Sequence, residues 1–428
     1  MIKNKGALVS GKFARERKKA LQIIEEGLKA VQVKGEVKKA KLPDLRKFDK
    51  VYVVAFGKAS AKMAEAMEER LGNRITDGAV VSIRKAKTKR MKAFKGTHPV
   101  PSAANVKAAE YIVEIVEKAK EKDLVIALVS GGGSALLTLP AKGLTISDMK
   151  RVTTLLLRST AKIKEINAVR KHLSQVKGGR LAKLAYPARL VALQISDVFG
   201  DDVAFMASGA TCPDKSTRHL AIKVLKRHRL WGKVPKSVRE HLQKKEAETP
   251  NKLKLCNNIV IVNNQLALKA MQKKARGLGF KPLIYSNELD GEAEHLGRFL
   301  LRKAFNLRER TKKPIALIAG GETTVTITGK GTGGRNQEVV LGAVRDLEKA
   351  GKTVFVSVGS DGIDGNSKAA GAIADSGTME TARVKKLSPR NFLARNDSNT
   401  FFKKVKGEIV TGYTETNVMD LQLLILWN

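Results

Sequence analysis

The sequence predicts an α/β protein of two domains, each built on a sheet that helices cover. Three observations lead to this prediction. The chain has 428 residues, which is more than one ordinary hydrophobic core accommodates. Its first half alternates short apolar runs with segments of helical periodicity, as a parallel sheet with helical crossovers does. Its second half has apolar runs at closer spacing, which favours a mixed sheet.

In the first half, the alternation begins with a predicted helix over 14–31. Four predicted strands follow, with the sequences KVYVVAF, GAVVSI, LVIALVS and RLVALQISDV. Helical segments separate these strands, and right-handed crossovers then give a three-layer parallel sheet. From about 215 to 255 the chain is polar and helical without a strong strand pattern. We therefore predict a domain boundary in this stretch, with domains at 1–240 and 241–428.

In the second half, strand patterns resume after the polar stretch. The predicted strands are NIVIVNN, PLIYS, PIALIAGG, TVTITG, TVFVSVG, AGAIAD, EIVTG and LQLLIL. Helical segments lie between some of them, while others follow one another closely. The second domain is therefore expected to contain a mixed sheet, also flanked by helices.

The charge balance is strongly basic, with 81 Lys and Arg against 41 Asp and Glu and a formal net charge of +40. A clustered excess of this size is typical of nucleic-acid binding. Here the cations are spread over many helical surfaces, and aromatic residues make up only 5%. This favours a generally basic surface, with non-specific attraction for nucleic acid but no specific site.

Cysteine usage and hydropathy exclude several protein classes. Cys212 and Cys256 are the two cysteines, and they give neither a disulfide framework nor the spacing of a zinc site. No apolar stretch has the length of a membrane span or of a signal-peptide core. The sequence therefore predicts a cytoplasmic protein that does not bind membranes.

Polar residues follow the predicted strands at the ends where open α/β sheets bind ligands. These residues are Lys58, Ser130 to Ser134, Asp197, Glu322 with Thr323, and Asp361. A single residue of this kind could simply cap the next helix. Five strand ends with the same pattern instead favour a ligand-binding cleft.

The glycines Gly131, Gly132 and Gly133 interrupt an otherwise apolar segment, LVIALVSGGGSALLTLPAKG. Three consecutive glycines cost backbone entropy, so they need a tight turn or the close approach of an anion to backbone N–H groups. There is no Walker A motif, because Tyr52 stands where its first glycine would be. Lys58 could still supply a point charge to phosphates at these glycines.

A second glycine-rich segment competes with the first. Gly329, Gly331 and Gly334 fit the pattern G-x-G-x-x-G, and Asp361 could act as a ribose-binding acid. This pattern would suggest a dinucleotide-dependent oxidoreductase, but a lone match is weak. Arg335, at the start of the following helix, fits phosphoryl transfer better, since a fixed guanidinium offsets charge on the moving group.

Further polar residues are candidates for binding and proton transfer. Asp197 with Asp361 could hold Mg²⁺, or Asp197 could accept the proton of an attacking hydroxyl. Asn167 and Arg170 can share a helix face and engage an anion. His98 is interpreted as a structural loop histidine rather than a catalyst.

Taken together, these motifs resemble the type II glycerate kinases, whose C-terminal part is called the MOFRL domain. The resemblance extends from about residue 12 to the C-terminus. In the first half it rests on VVAFGKASAKMAEAM, THPVPS, LVSGGGSALLTLPAKGLT, INAVRKHLSQVKGGRLA and ISDVFGDD with SGATCPD. In the second half it rests on GGETTVTITGKGTGGRNQE, SVGSDGIDGNSKAAGAI and TGYTETNVMDL. Their joint occurrence in this order is highly specific.

The resemblance implies an ATP- and Mg²⁺-dependent kinase that converts D-glycerate to 2-phosphoglycerate. It also implies two α/β domains, the first Rossmann-like, with the active site in the cleft between them. The implied protein acts on small molecules as a monomer or homodimer. At matching positions the implied catalytic residues are Lys58, Arg335 and Asp197; the phosphate loop is Ser130, Gly131, Gly132, Gly133 and Ser134; the metal ligands are Asp197 and Asp361; and the candidate substrate-binding residues are Asn167, Arg170, Glu322 and Thr323.

Two segments depart from the pattern of this family. Asn366-Ser367-Lys368 and Tyr413-Thr414-Glu415 replace segments that contain proline in typical members, and we expect them to affect substrate preference more than the fold. Two alternative functions remain open at this point. One is an NAD(P)H-dependent hydroxypyruvate reductase, a name that members of the family have also carried. The other is a basic nucleic-acid-binding protein without catalytic activity.

Overall fold

The structure, a computed structural model, describes residues 1–309 and 311–427. The chain divides into two compact units. We call Val33–Val262 the parallel-sheet unit. Met1–Gln32 together with 263–427 form what we call the mixed-sheet unit.

The parallel-sheet unit is built on six strands: β1 (Val51–Phe56), β2 (Asp77–Ser82), β3 (Lys92–Lys95), β4 (Leu124–Val129), β5 (Arg189–Ile195) and β6 (Cys256–Val262). Their order in the sheet is β3-β2-β1-β4-β5-β6, and every neighbouring pair is parallel. This is the order of a doubly wound nucleotide-binding fold, in which the winding direction reverses between β1 and β4. The predicted Rossmann-like parallel sheet is therefore confirmed.

Helices accompany these strands along the chain. Two helices precede the unit, α1 (Lys5–Leu8) and α2 (Ala14–Ala30). Those within it are α3 (Val33–Lys39), α4 (Ser60–Leu71), α5 (Ala103–Glu117), α6 (Gly133–Leu136), α7 (Ile146–Leu157), α8 (Ile163–His172), α9 (Arg180–Ala185), α10 (Arg218–Arg227) and α11 (Lys236–Gln243). Strands β1 and β4 are buried along their whole length, which explains their unbroken apolar sequences.

The mixed-sheet unit contains β7 (Lys281–Leu289), β8 (Ile315–Gly321), β9 (Thr353–Gly359), β10 (Gly371–Asp375), β11 (Glu408–Ile409) and β12 (Asp420–Leu426). Their order is β11-β10-β9-β12-β8-β7. Only the β7–β8 pair is parallel, and the other neighbouring pairs are antiparallel. The predicted mixed sheet is confirmed. The helices after residue 262 are α12 (Asn264–Gly277), α13 (Ala293–Arg308), α14 (Arg335–Leu347), α15 (Thr378–Val384), α16 (Pro389–Leu393) and α17 (Ser398–Lys404).

The division into units differs from the predicted boundary in two places. The segment NIVIVNN supplies β6, which pairs with β5 in the parallel sheet, because an apolar run does not reveal which sheet a strand joins. Residues 1–32 belong to the mixed-sheet unit. There the guanidinium of Arg17, on α2, donates to the Asp375 carboxylate at 2.5 Å, and both side chains are buried. Helix α2 is thus held by a residue that is distant from it in the sequence.

Two local predictions also differ from the structure. The segment TVTITG, predicted as a strand, makes one isolated bridge, Thr324 to Glu292, because its side chains are mostly exposed and no neighbouring strand pairs along it. The short edge strand β3 was not predicted, since KAFK has no continuous apolar pattern. None of the helices in residues 1–309 and 311–427 combines the length and apolar character needed to cross a membrane.

Candidate active site

The winding reversal of the parallel sheet brings together the loops that follow β1 and β4. The Lys58 backbone N–H donates to the Gly131 carbonyl at 2.8 Å. The Ala59 N–H donates to Ser130 Oγ at 3.1 Å. These bonds fix the half-buried Lys58 beside the glycine loop 130–134. The expected phosphate loop and the expected catalytic lysine are thus neighbours within one unit.

The three consecutive glycines each leave room for a different neighbouring group. A Cβ atom on Gly131 would overlap the Asp197 carboxylate. One on Gly132, whose φ is +78°, would lie 2.9 Å from Lys58 Cγ and 3.0 Å from His98 Cδ2. One on Gly133 would lie 2.7 Å from the Cβ of Ala207. Gly131 and Gly132 are therefore required because polar side chains of other loops approach this backbone closely, and Gly133 because Ala207 does.

His98 was interpreted as a structural loop histidine, and the structure places its ring against Gly132. Burial of the ring, followed by the nearby Lys58 cation, lowers the pKa of His98. The lowered pKa favours the neutral imidazole, which has one donor and one acceptor nitrogen. Its position at the glycine loop was not predicted from the sequence.

Ser134 ends the glycine loop and meets a strained segment of backbone. Its Oγ lies 2.8 Å from Ser208 Oγ. Ala207 and Ser208 have φ values of +48° and +57°, a left-handed conformation that is costly for residues other than glycine. Both residues are buried. The sequence does not indicate a role for Ser208, because the segment SGATCPD shows neither strand nor helix periodicity.

A helix of the same unit carries the expected anion-binding residues. On α8, Asn167 is buried, and Arg170 Nη2 donates weakly to the Ser134 carbonyl at 3.4 Å. Burial lowers the pKa of Arg170. Lys177 is fully buried, donates to the Leu137 carbonyl at 2.6 Å, and has a pKa lowered well below the usual value by burial and then by Arg170. Arg170 thus reaches the loop, as an anion-binding role requires.

In the mixed-sheet unit, Arg335 opens α14 and is held by two carboxylates. Its Nε and Nη2 donate to Asp420 at 2.7 and 3.1 Å, and its Nη1 donates to Glu322 at 2.5 Å. Burial opposes the charge on this guanidinium, but Asp420 and then Glu322 outweigh it and raise the pKa of Arg335. Arg335 is therefore a permanent, fixed cation.

Asp420 and Asp364 anchor this arrangement, and neither was predicted. Burial raises the pKa of Asp420 to about 6, with Arg335 opposing the shift. Asp364 accepts from the backbone N–H groups of Asn336 and Gln337 at 3.0 and 2.9 Å, so it caps the start of α14. The Asn336 amide bridges the two carboxylates. The acid predicted from the sequence is instead Asp361, whose Oδ1 accepts from the Ile363 N–H at 3.1 Å.

A cavity of about 550 Å³ lies within the mixed-sheet unit at the N-terminus of α14. Arg335, Thr323 and Asp361 line it, as does the second glycine-rich segment, 329–334. Glu322, the fourth residue expected here, reaches Arg335 from the exposed end of β8. Three of the four residues expected at this end of the mixed sheet therefore line one cavity.

The two predicted metal ligands belong to different units, Asp197 to one and Asp361 to the other. Within 1–309 and 311–427, no three His, Cys, Asp or Glu side chains form a group suited to a metal ion. Mg²⁺ commonly takes one or two carboxylates and fills its shell with waters and substrate phosphates. The half-buried Asp197 carboxylate, packed on Gly131 of the glycine loop, fits such a single-carboxylate role.

Comparisons with known proteins agree with this architecture. The model of a domain of unknown function, DUF4147, matches residues 19–243, and that of the MOFRL family matches 315–420. The chain is 40% identical to the D-glycerate 2-kinase of Thermotoga maritima, over 95% of this chain and 97% of that protein. It is 38% identical to a protein of Agrobacterium vitis provisionally named hydroxypyruvate reductase, over 87% of this chain and 98% of that one.

A solved structure shows the same fold. The crystal structure of a glycerate kinase from Thermotoga maritima matches with a TM-score of 0.91 and 39% identity, covering 96% of this chain and 99% of the other. Both sequence similarity and fold therefore extend over nearly the whole length of both proteins. The chain belongs to the type II glycerate kinase family, which carries the MOFRL domain.

Proposed function

We propose that the protein transfers the γ-phosphoryl group of ATP to D-glycerate, at the 2-hydroxyl, to give 2-phosphoglycerate and ADP. The observation that carries this proposal is the 40% identity to a D-glycerate 2-kinase, over 95% of this chain. At this similarity the fold and the arrangement of the site are expected to be shared. The predicted residues at the glycine loop and at α14 are of the types that phosphoryl transfer needs.

In this reaction the glycerate hydroxyl oxygen attacks the γ-phosphorus while the bond to the ADP oxygen breaks. Lys58 and Arg335 supply positive charge that offsets the charge of the transferred group. Asp197 accepts the proton that the hydroxyl loses. The N–H groups of Ser130 and Gly133 donate within the protein, so those of Gly131, Gly132 and Ser134 are the proposed donors to an anion. The Lys58 side chain, whose Cγ lies beside Gly132, adds positive charge to this loop.

The glycerate carboxylate needs donors of its own, and we assign this role to Asn167 and Arg170. Arg170 lies against the carbonyl of Ser134, and burial lowers its pKa, so a carboxylate there would restore a favourable charge balance. Asp197 would hold Mg²⁺ as its one protein carboxylate, with waters and substrate phosphates as the other ligands. The ion would supply charge neutralisation to the phosphates when bound.

The structure gives little support to the hydroxypyruvate reductase alternative. A dinucleotide-binding loop must offer its N–H groups to a pyrophosphate. In segment 329–334 the N–H groups of Gly329, Gly331 and Gly333 donate instead to Asn396, Arg395 and Asn366, at 2.8 to 2.9 Å. Since these donors are already used within the protein, the glycine pattern does not indicate a pyrophosphate site.

The proposal extends to the cellular setting. Cys212 and Cys256 are free thiols, which suits the reducing cytoplasm. Burial raises the pKa of these thiols, to about 11 and about 12 respectively, so both are unreactive at neutral pH. We expect the enzyme to act there on small molecules, as a monomer or homodimer.

The test mixes purified protein with Mg-ATP and D-glycerate and follows ADP release together with an enolase-coupled signal. Enolase acts on 2-phosphoglycerate, so signals in both channels are the expected result. ADP release without the enolase signal would refute phosphorylation at the 2-hydroxyl while retaining a kinase. Silence in both channels from folded protein, with oxidation of NADH in the presence of hydroxypyruvate, would replace the proposal by the reductase.

A further inference from the structure

The cavity at α14 contains a polar group that the protein leaves without a partner. Thr323 is 3% exposed and lines the cavity. Its Oγ1 has no hydrogen-bond partner among the residues that the structure describes. A buried hydroxyl without a partner costs stability, and native proteins seldom keep one without a reason. The hydroxyl is therefore positioned to bond to something that enters the cavity.

Backbone N–H groups of the glycine-rich wall of the same cavity, residues 329–334, already donate within the protein. Asn366 holds it from one side, with Oδ1 accepting from the Gly333 N–H at 2.9 Å and Nδ2 donating to the Gly331 carbonyl at 3.1 Å. Asp397 Oδ1 accepts from the Thr332 N–H at 3.1 Å. Because these backbone groups are engaged, the wall does not form a phosphate cradle. Apart from Lys330, whose side chain also lines the cavity, the wall presents backbone to the ligand.

Apolar side chains complete the cavity. Ile327 and Ile363 line it, yet 79% and 45% of these residues is exposed to solvent. We call these two side chains and the glycine-rich backbone beside them the slot, and this apolar lining suits a weakly polar ring. Covering the two isoleucines with such a ring would be favourable because it removes apolar surface from water.

The charges of the cavity argue against an anion as the group bound in the slot. The acids Asp361, Asp364 and Glu338 line it together with the cations Lys330 and Arg335. Arg335 is already paired with Asp420 and Glu322, so the acids outnumber the cations that a ligand could use. A carboxylate such as Asp361 is instead a good acceptor for sugar hydroxyls. Slot, hydroxyl and carboxylate together match a purine nucleoside better than a phosphate or a small acid.

We propose that this cavity binds the nucleoside portion of the phosphoryl donor, ATP, with the purine ring between Ile327, Ile363 and the glycine wall. Thr323 Oγ1 then bonds to a polar atom of the nucleoside, and Asp361 accepts from the ribose hydroxyls. This assignment rests on the proposed function, in which ATP is the donor. It places nucleoside recognition on the mixed-sheet unit, whereas the loop 130–134 serves an anionic group.

The first test substitutes the slot and measures binding of ATP by calorimetry. The double variant Ile327→Ser/Ile363→Ser should weaken ATP binding about tenfold, which corresponds to about 1.4 kcal/mol, and leave KM for glycerate within about twofold. Val384→Ser is the matched control, because Val384 is also 79% exposed in the same unit but does not line the cavity. Equal ATP affinity in the double variant and the control would overturn the proposal.

A second variant keeps the test valid if the double variant folds poorly. Thr323→Val preserves the shape of the side chain and removes only the unpartnered hydroxyl. It should lower ATP affinity about three- to tenfold without lowering the melting temperature, since no internal hydrogen bond is lost. A lowered melting temperature with unchanged ATP affinity would assign the hydroxyl a structural role and contradict the proposal.

Photolabelling with 8-azido-ATP locates the purine ring directly. Labelled peptides should contain Ile327 or Ile363. Label within 124–143 would overturn this inference while leaving glycerate phosphorylation intact. Label at Ile327 or Ile363 in a protein that does not phosphorylate glycerate would support the nucleoside site and refute the proposed substrate, so the two failures are distinguishable.

Discussion

The two glycine-rich segments of the chain look alike in sequence, yet they differ in what the glycines accommodate. In 130–134, a Cβ atom on Gly131 would overlap the Asp197 carboxylate, and one on Gly132 would crowd Lys58 and His98. In 329–334, a Cβ on Gly331 would instead meet the backbone of Arg395 and the Cα and Cβ atoms of Asp397. The first segment makes room for polar side chains of the site, and the second makes room for another loop.

The comparison teaches that a glycine pattern does not by itself indicate phosphate binding. What distinguishes the two segments is where their backbone donors and near neighbours lie. In the mixed-sheet unit, Asn396 Oδ1 accepts from the N–H groups of both Thr328 and Gly329 at 2.8 Å. Those donors are structural.

Removal of a catalytic cation is expected to lower turnover the most. Lys58→Ala should lower kcat about a thousandfold with little change in the melting temperature, because a cation aimed at the transferred group contributes mainly to the transition state. Steady-state kinetics and thermal unfolding measure the two effects. Near-wild-type turnover would show that Lys58, and the loop 130–134 beside it, do not take part in catalysis.

Arg335→Ala should lose a similar factor in kcat and also lose stability. Removing the guanidinium leaves the fully buried Asp420 carboxylate without its cation, which costs about 3 kcal/mol. The double variant Arg335→Ala/Asp420→Asn should recover part of the stability and none of the activity. Recovery of activity in the double variant would contradict a direct role for Arg335.

Gly131→Ala tests the first segment itself. The added Cβ must displace the Asp197 carboxylate, and a shift of about 1 Å in a reacting group lowers turnover about a hundredfold. Stability should change little, since a half-buried side chain can move. The check is kcat together with the melting temperature. A stable variant with full turnover would show that Asp197 does not act at its observed position.

Gly331→Ala should behave in the opposite way. Here the Cβ would lie 2.6 Å from the Arg395 carbonyl oxygen and the Asp397 Cα, and backbone cannot move aside cheaply. We expect a loss of about 2 kcal/mol in the free energy of unfolding, with kcat at saturating ATP nearly normal below the melting temperature. Chemical denaturation measures it. A stable but inactive Gly331→Ala protein would contradict the structural role that we assign to this glycine.

The smallest expected effect concerns Glu338, which lies under the second segment. Burial raises its pKa to about 7. A carboxyl whose pKa is higher in the folded state destabilises the protein increasingly as pH rises from about 4.5 through 7. Glu338→Gln should therefore be more stable than wild type by about 1–2 kcal/mol near pH 8, with the difference declining toward pH 4.5. A difference that is independent of pH would contradict this origin.

The sequence predicted much of the fold because buried strands require continuous apolar runs, as in LVIALVS and LQLLIL. Because the ends of these apolar runs are easy to locate, the sequence also predicted which polar residues follow the strands. It did not predict Asp420, because that residue acquires its role only when β12 inserts between β8 and β9. In that register Asp420 faces Gly321 on one side and Gly359 on the other, and no local pattern encodes such a pairing.

Other residues were missed because their roles depend on contacts between distant segments. Ser208 matters through a left-handed turn that brings its hydroxyl to Ser134. Asp364 caps a helix that begins 29 residues earlier in the chain, at Arg335. The N-terminal helix α2 joins the mixed-sheet unit through Arg17 and Asp375. Composition and periodicity report on residues that are close in sequence, whereas each of these contacts joins residues that are distant in sequence.

The most direct test of the central claim is the enolase-coupled assay on wild type and Gly131→Ala side by side, with melting temperatures recorded for both. We predict that wild type forms 2-phosphoglycerate from Mg-ATP and D-glycerate, and that Gly131→Ala retains its fold but about 1% of the rate. Equal rates for the two proteins, or no product from folded wild type, would contradict the claim.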